Sequence, residues 1–110
     1  MPVRDIRHPK ASELDLATIL HTAGDPVRLA IVRLLSDDSE RRCAAVGDVL
    51  ELPASTLSYH LRLLREAGLT RTRVAGTERH ISLRRDDLDR LYPGLLDVLV
   101  AKPRARTRAA

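Results

Sequence analysis

At 110 residues the chain is long enough for one domain with a modest core and too short for two. Hydrophobic residues make up 44%, nearly all Leu, Val, Ile and Ala with no Phe or Trp, so the core is thin and association into a dimer would add to its stability. The net charge is +4, but Lys102, Arg104, Arg106 and Arg108 stand within the last nine residues, so residues 1–100 balance and a pI near 10 does not by itself argue for nucleic acid.

In chain order, residues 1–11 hold two prolines and mixed charge with little periodicity, and are expected to form a flexible arm. They contain no apolar stretch of the signal-peptide kind, and no run in the chain approaches membrane-spanning length, so the cytoplasm is the expected compartment. Ser12 is the expected N-cap of a first helix, with Glu13 and Asp15 in its first turn; Leu14, Leu16, Ile19 and Leu20 form its apolar face and Gly24 ends it. Asp25-Pro26 opens a second helix, Asp as N-cap and Pro at the first helical position. Leu29, Ile31, Val32, Leu34 and Leu35 make it apolar on more than one side, hence central.

The polar run 36–42 is a loop or helix start. A third helix covers roughly 44–51, with Val46, Val49 and Leu50 inward, and Leu52-Pro53 breaks it. The fourth helix opens at Ala54 or Ser55 and runs to Ala67, with Gly68 as its C-cap. Leu57, Leu61 and Leu64 fall at i, i+4 and i+7, forming a buried stripe. Two alternating, β-prone runs, 70–74 and 77–83, flank a glycine-containing turn and form a hairpin, with Ile81 and Leu83 on one face and His80 and Ser82 on the other. A last helical region begins near Asp86, is interrupted at Pro93-Gly94 and resumes at Leu95. The domain is thus 12–101, and 102–110 form a basic disordered tail.

Charge is distributed unevenly along this order. Residues 54–80 carry Arg62, Arg65, Arg71, Arg73 and Arg79 against Glu66 and Glu78, whereas 37–51 are acid-rich. Four helices, a basic hairpin and a final helix are mainly α with a small β wing. The segment Gly24-Asp-Pro-Val-Arg-Leu-Ala-Ile-Val-Arg-Leu-Leu35, the segment Ser55-Thr-Leu-Ser-Tyr-His-Leu-Arg-Leu-Leu-Arg-Glu-Ala-Gly-Leu69 and the hairpin 70–83 together resemble the ArsR/SmtB family of winged helix-turn-helix repressors, over about residues 14–100. Glu51 departs from the glycine common in the family's interhelical turn, and His80-Ile81 from its wing aromatics.

The resemblance makes 55–67 a recognition helix that enters the DNA major groove N-terminus first. Ser55, Thr56 and Ser58 then sit close to phosphate, Tyr59 and Arg62 face outward one turn on, and Arg62 is the candidate for bidentate guanine readout. Otherwise the serines only cap the helix and Arg62 is solvated. Arg73 and Arg79 flank the wing turn, where they meet adjacent backbone or minor groove, or else only protect the strand edges. His60, beside the leucine stripe, is expected to be structural.

The resemblance also implies a homodimer through the first and last helices, with Leu16, Ile19, Leu20, Leu91, Leu95, Leu96 and Leu99 as interface candidates; some of these must cover the monomer's own core. The expected function is a dimeric repressor released from a palindromic operator by an effector of unknown chemistry. Cys43 is the one cysteine, which excludes an intrachain disulfide, and it has no second thiolate beside it. Residues 84–110 hold no His, so no metal or cofactor is expected. A metal- or redox-responsive repressor using Cys43, a non-specific architectural DNA-binding protein using the tail, and a protein-interaction module with 37–51 as an acidic face are the competing readings. No catalytic constellation or phosphate loop points to an enzyme.

Overall fold

The computed structural model describes residues 6–103. Residues 1–5 and 104–110, most of the basic tail included, lie outside the described residues. A short 3-10 turn, Ala11–Glu13, precedes α1, Leu16–Ala23. Asp15, not Ser12, is its N-cap: the carboxylate accepts from the Thr18 backbone N–H at 3.0 Å and the Thr18 hydroxyl at 2.9 Å. Ser12 lies inside the 3-10 turn, one turn too early, and Glu13 folds back to accept from the Lys10 N–H. Helix α2, Pro26–Leu34, starts as expected, with Asp25 accepting from the N–H groups of Val27 and Arg28 and Pro26 at the first position.

Next come β1 (Arg41–Arg42), α3 (Cys43–Leu50), α4 (Ala54–Ala67), β2 (Thr70–Ala75), β3 (Glu78–Leu83), α5 (Arg85–Leu91) and α6 (Leu95–Val100). The sheet has three antiparallel strands in the order β1-β3-β2, not the two of a simple hairpin. Arg41 pairs with Ile81 and Arg42 with His80, so part of the polar 36–42 run closes the free edge of β3. The hairpin register sets Ala75 opposite Glu78 across a Gly76-Thr77 turn, and the alternation buries Thr70, Thr72, Ile81 and Leu83 while Arg71 and Arg73 face out.

One core joins every layer. Ile19 of α1, Ile31 and Val32 of α2, Leu35, Val46 of α3, Leu64 of α4, Leu69, Ile81 of β3, Leu88 of α5 and Leu96 of α6 are all wholly buried. Each such aliphatic side chain contributes about 1.5–3 kcal/mol by leaving water, without any aromatic to enlarge the cluster. Three expectations are corrected here. Val49 is 60% exposed, because α3 turns Val46 and Leu50 inward and leaves position 49 beside them on the outer side. Ile19 and Leu96 belong to the protomer's own core and are unavailable to a partner. The arm is held at its described end: the Thr72 N–H donates to His8 Nε2 at 3.0 Å, and Arg84 Nη1 donates to the Pro9 carbonyl at 2.7 Å.

Candidate nucleic-acid interface

The paired helices α3 and α4 are joined by a three-residue turn whose first member, Glu51, adopts the left-handed conformation (φ 55°, ψ 46°). The glycine-like geometry is therefore kept without glycine, at a backbone cost of about 1–2 kcal/mol. Gly47 lets the helices approach: a Cβ there would lie 3.0 Å from Leu57 Cδ2. Leu57, Leu61 and Leu64 bury one side of α4, which fixes what its other side presents.

That other side carries Ser55, Ser58, Tyr59 and Arg62, all exposed, with Thr56 half-buried beside them. Pro53 is the N-cap and no side chain caps the helix, so its serines are not spent on capping. The first-turn N–H groups and the positive end of the helix dipole remain open to an anion. The Arg62 guanidinium lies 5.8 Å from the Tyr59 ring centroid, a cation–π contact that holds it along the outer face.

His60 and Arg28 secure α4 from behind. Arg28 Nη1 approaches His60 Nδ1 at 3.2 Å; arginine only donates, so Nδ1 accepts and the ring proton sits on Nε2. Arg28 Nε also donates to the Thr22 carbonyl at 2.6 Å. One side chain thus ties the end of α1 and the start of α2 to the middle of α4. The His60 ring packs edge-on against Tyr59, centroids 5.2 Å apart. The Asp-Pro-x-Arg spacing contained this residue, but nothing local in the sequence said what Arg28 would touch.

The wing is less free than its charge implied. Arg73 forms a fork with Glu40, Nε to Oε2 at 3.0 Å and Nη2 to Oε1 at 2.5 Å. This pairing holds the Glu40 carboxyl below its ordinary value and raises the Arg73 guanidinium. Arg42 and His80 approach Glu78 at 3.8 Å each. Arg79 is exposed and has no ion pair among the described residues. Glu40 lies 33 positions from Arg73, beyond any local pattern.

Cys43 is half-buried at the start of α3. Burial raises its thiol pKa, and the nearby Arg79 only partly offsets this, so the thiol is not poised as a thiolate. Among the described residues no group of three or more His, Cys, Asp and Glu side chains is placed to hold a metal ion, and no helix is long and apolar enough to cross a membrane.

Helix, turn, second helix with an exposed polar face and three-stranded wing define a winged helix-turn-helix DNA-binding domain. A helix-turn-helix domain family model matches residues 23–73. The HTH-type transcriptional regulator YceK of Bacillus subtilis (strain 168) is 40% identical over 84 residues, 76% of this chain and 84% of that protein. In three dimensions the chain is similar to a homodimeric winged helix-turn-helix domain of Mycobacterium bovis described as a possible ArsR-family regulator, with 27% identity, a TM-score of 0.65 and 76% of each chain covered. It is also similar to the transcriptional repressor BigR of Xylella fastidiosa, with 28% identity, a TM-score of 0.61, and 79% of this chain and 88% of that one covered. The chain belongs to the ArsR/SmtB-type winged helix-turn-helix transcriptional regulators.

Proposed function

We propose that the protein is a homodimeric repressor that binds a two-fold symmetric operator and is released by a signal other than a metal ion. The observation that carries this reading is the exposed face of α4, where Ser55, Ser58, Tyr59 and Arg62 stand together beside an uncapped helix start. Inserted N-terminus first into the major groove, Ser55, Thr56 and Ser58 meet phosphate and Arg62 reads guanine. Arg73 and Arg79 of the wing meet the neighbouring backbone or minor groove.

The dimer reading is supported by apolar surface on α1, α5 and α6. Leu16, Leu20 and Leu91 are 38%, 47% and 37% exposed, Val98 is 74% exposed, and Leu95 and Leu99 are half-covered. A second copy seated there sets two α4 helices for successive major grooves, about 34–36 Å apart. The effector acts by biasing the dimer between well and badly spaced arrangements.

Replacing Arg62 with alanine is expected to weaken operator binding by about 1–3 kcal/mol and to relax preference at one base pair. A base-by-base competition titration checks this, and an unchanged base preference rejects the readout role. Glu40→Gln is expected to act in the opposite direction. With its acidic partner gone, Arg73 no longer has to leave Glu40 to meet phosphate, so affinity at one fixed salt concentration rises. A titration that gives the parental affinity contradicts a DNA role for Arg73.

A further inference from the structure

The chain ahead of α1 is docked on the outer edge of the wing. In the β1-β3-β2 sheet β2 is the outer strand, so the N–H and C=O groups on its far side have no strand beside them. The Thr72 N–H donates there to His8 Nε2 at 3.0 Å, and the neighbouring Pro9 carbonyl accepts from Arg84 Nη1 at 2.7 Å. Among the described residues these two bonds tie residues 6–9 to the domain. Ile6, His8 and Pro9 are half-buried, while Arg7 and Lys10 are exposed. The first bond demands a neutral ring. A backbone N–H can only donate, so Nε2 accepts and the ring proton sits on Nδ1. A proton added to Nε2 sets two donors against each other and ends the bond.

The surroundings also oppose that proton. Burial first, then the charges of Arg65 of α4, Arg84 ahead of α5 and Arg71 of β2, hold the ring below the ordinary histidine value; the Ile6 backbone acts the other way. The carboxylate those arginines meet is Asp87, already shared among Arg84, Arg71 and Arg90. On the open side Glu13 and Glu66 share a groove with His8, and Arg7 and Lys10 in the same groove offset their charge. An imidazolium at this place therefore gains no carboxylate in exchange for the bond it loses, and the Pro9 carbonyl is left to hold the arm alone. We propose that residues 6–10 form a latch on the wing that opens when His8 takes up a proton at Nε2. Because the ring binds its proton less readily docked than free, docking is complete above about pH 6.5 and is lost as pH falls through the lower, docked value. The open latch bares the edge of β2 between Arg71 and Arg73 of the wing.

The test is a nuclear magnetic resonance titration of the full, nitrogen-15-labelled chain from about pH 8 to about pH 4.5, a range that spans histidine protonation. The expected result at the alkaline end is a His8 ring with its proton on Nδ1 and backbone order parameters of about 0.85 at residues 7–9. On acidification those parameters fall below about 0.6 with the midpoint of the His8 ring, while Ile31 and Leu64 in the core keep theirs. His8→Gln offers the Thr72 N–H a carbonyl oxygen that does not titrate, and is expected to keep the arm ordered throughout. His8→Ala is expected to free it at every pH. The proposal is overturned by a neutral ring protonated on Nε2, by an arm that stays ordered through the ring's titration, or by loss of order in the core together with the arm. An ordered arm in His8→Ala, or the parental pH dependence in either variant, overturns it equally.

Discussion

Asp87→Ala is expected to lower stability by about 3 kcal/mol, a large share of what a domain of this size possesses. The carboxylate of Asp87 is shared by three arginines. Its Oδ2 accepts from Arg84 Nε at 3.1 Å, Arg84 Nη2 at 2.9 Å and Arg71 Nη2 at 3.0 Å, and its Oδ1 accepts from Arg90 Nη2 at 3.1 Å. Arg84 is the member that sets the magnitude. It is only 4% exposed, and its remaining described bond goes to the Pro9 carbonyl. Without Asp87 its charge stays buried and uncompensated. Unfolding midpoints follow as a drop of roughly 15 °C. Asp89→Ala is the control: Asp89 is half-exposed and meets Arg85 only at 3.8 Å, so about 0.5 kcal/mol or less is expected.

The same ion pair predicts a pH dependence with a definite sign. The Arg84 hydrogen bonds, then the charges of Arg84, Arg71 and Arg90, hold the Asp87 carboxyl below its ordinary value. A carboxyl depressed in the folded state stabilises fully above its unfolded pKa of about 3.9 and loses that contribution as pH falls through the folded value. The difference between the parent and Asp87→Ala is therefore constant near neutrality and shrinks below about pH 4. A gap that widens on acidification contradicts the assignment.

Gly68→Ala is expected to cost about 2–3 kcal/mol. Gly68 ends α4 with φ +87°, and the Leu69 N–H returns to the Leu64 carbonyl at 3.0 Å, the closing bond of a Schellman turn. An L-residue there pays about 1–2 kcal/mol for the left-handed backbone alone. The new Cβ would also lie 2.0 Å from Leu14 Cδ2, so the Leu14 side chain must leave its packing against the core. Gly76→Ala isolates the first effect: φ is +62° in the wing turn and nothing lies within 4 Å of the added Cβ. Denaturant unfolding of both variants checks the difference. Equal losses would show that the contact with Leu14 carries no weight.

Local chemistry made much of this fold legible in advance. Asp25-Pro26 carries its own helix start, Gly68 its own helix end, and the Leu57/Leu61/Leu64 spacing declares which side of α4 is buried. What stayed hidden was non-local. Arg41–Arg42 has neither alternation nor β-branched residues, and it becomes a strand only because β3 offers an open edge. Ile19 and Leu96 look no different in sequence from Leu20 and Leu95, since an apolar period does not say whether the covering partner is the same chain or another. Arg73 looked like a free wing cation until Glu40 was brought to it, and His8 lies 64 positions from the Thr72 N–H it accepts from.

The outer face of α4 is proposed to read a specific DNA sequence as part of a dimeric repressor. Its most direct test is equilibrium binding to the DNA upstream of the protein's own gene, against a scrambled duplex of equal length and composition at one fixed salt concentration. Preference for the upstream duplex by a factor of about 10³ or more is expected. Equal affinity for the two duplexes would contradict it.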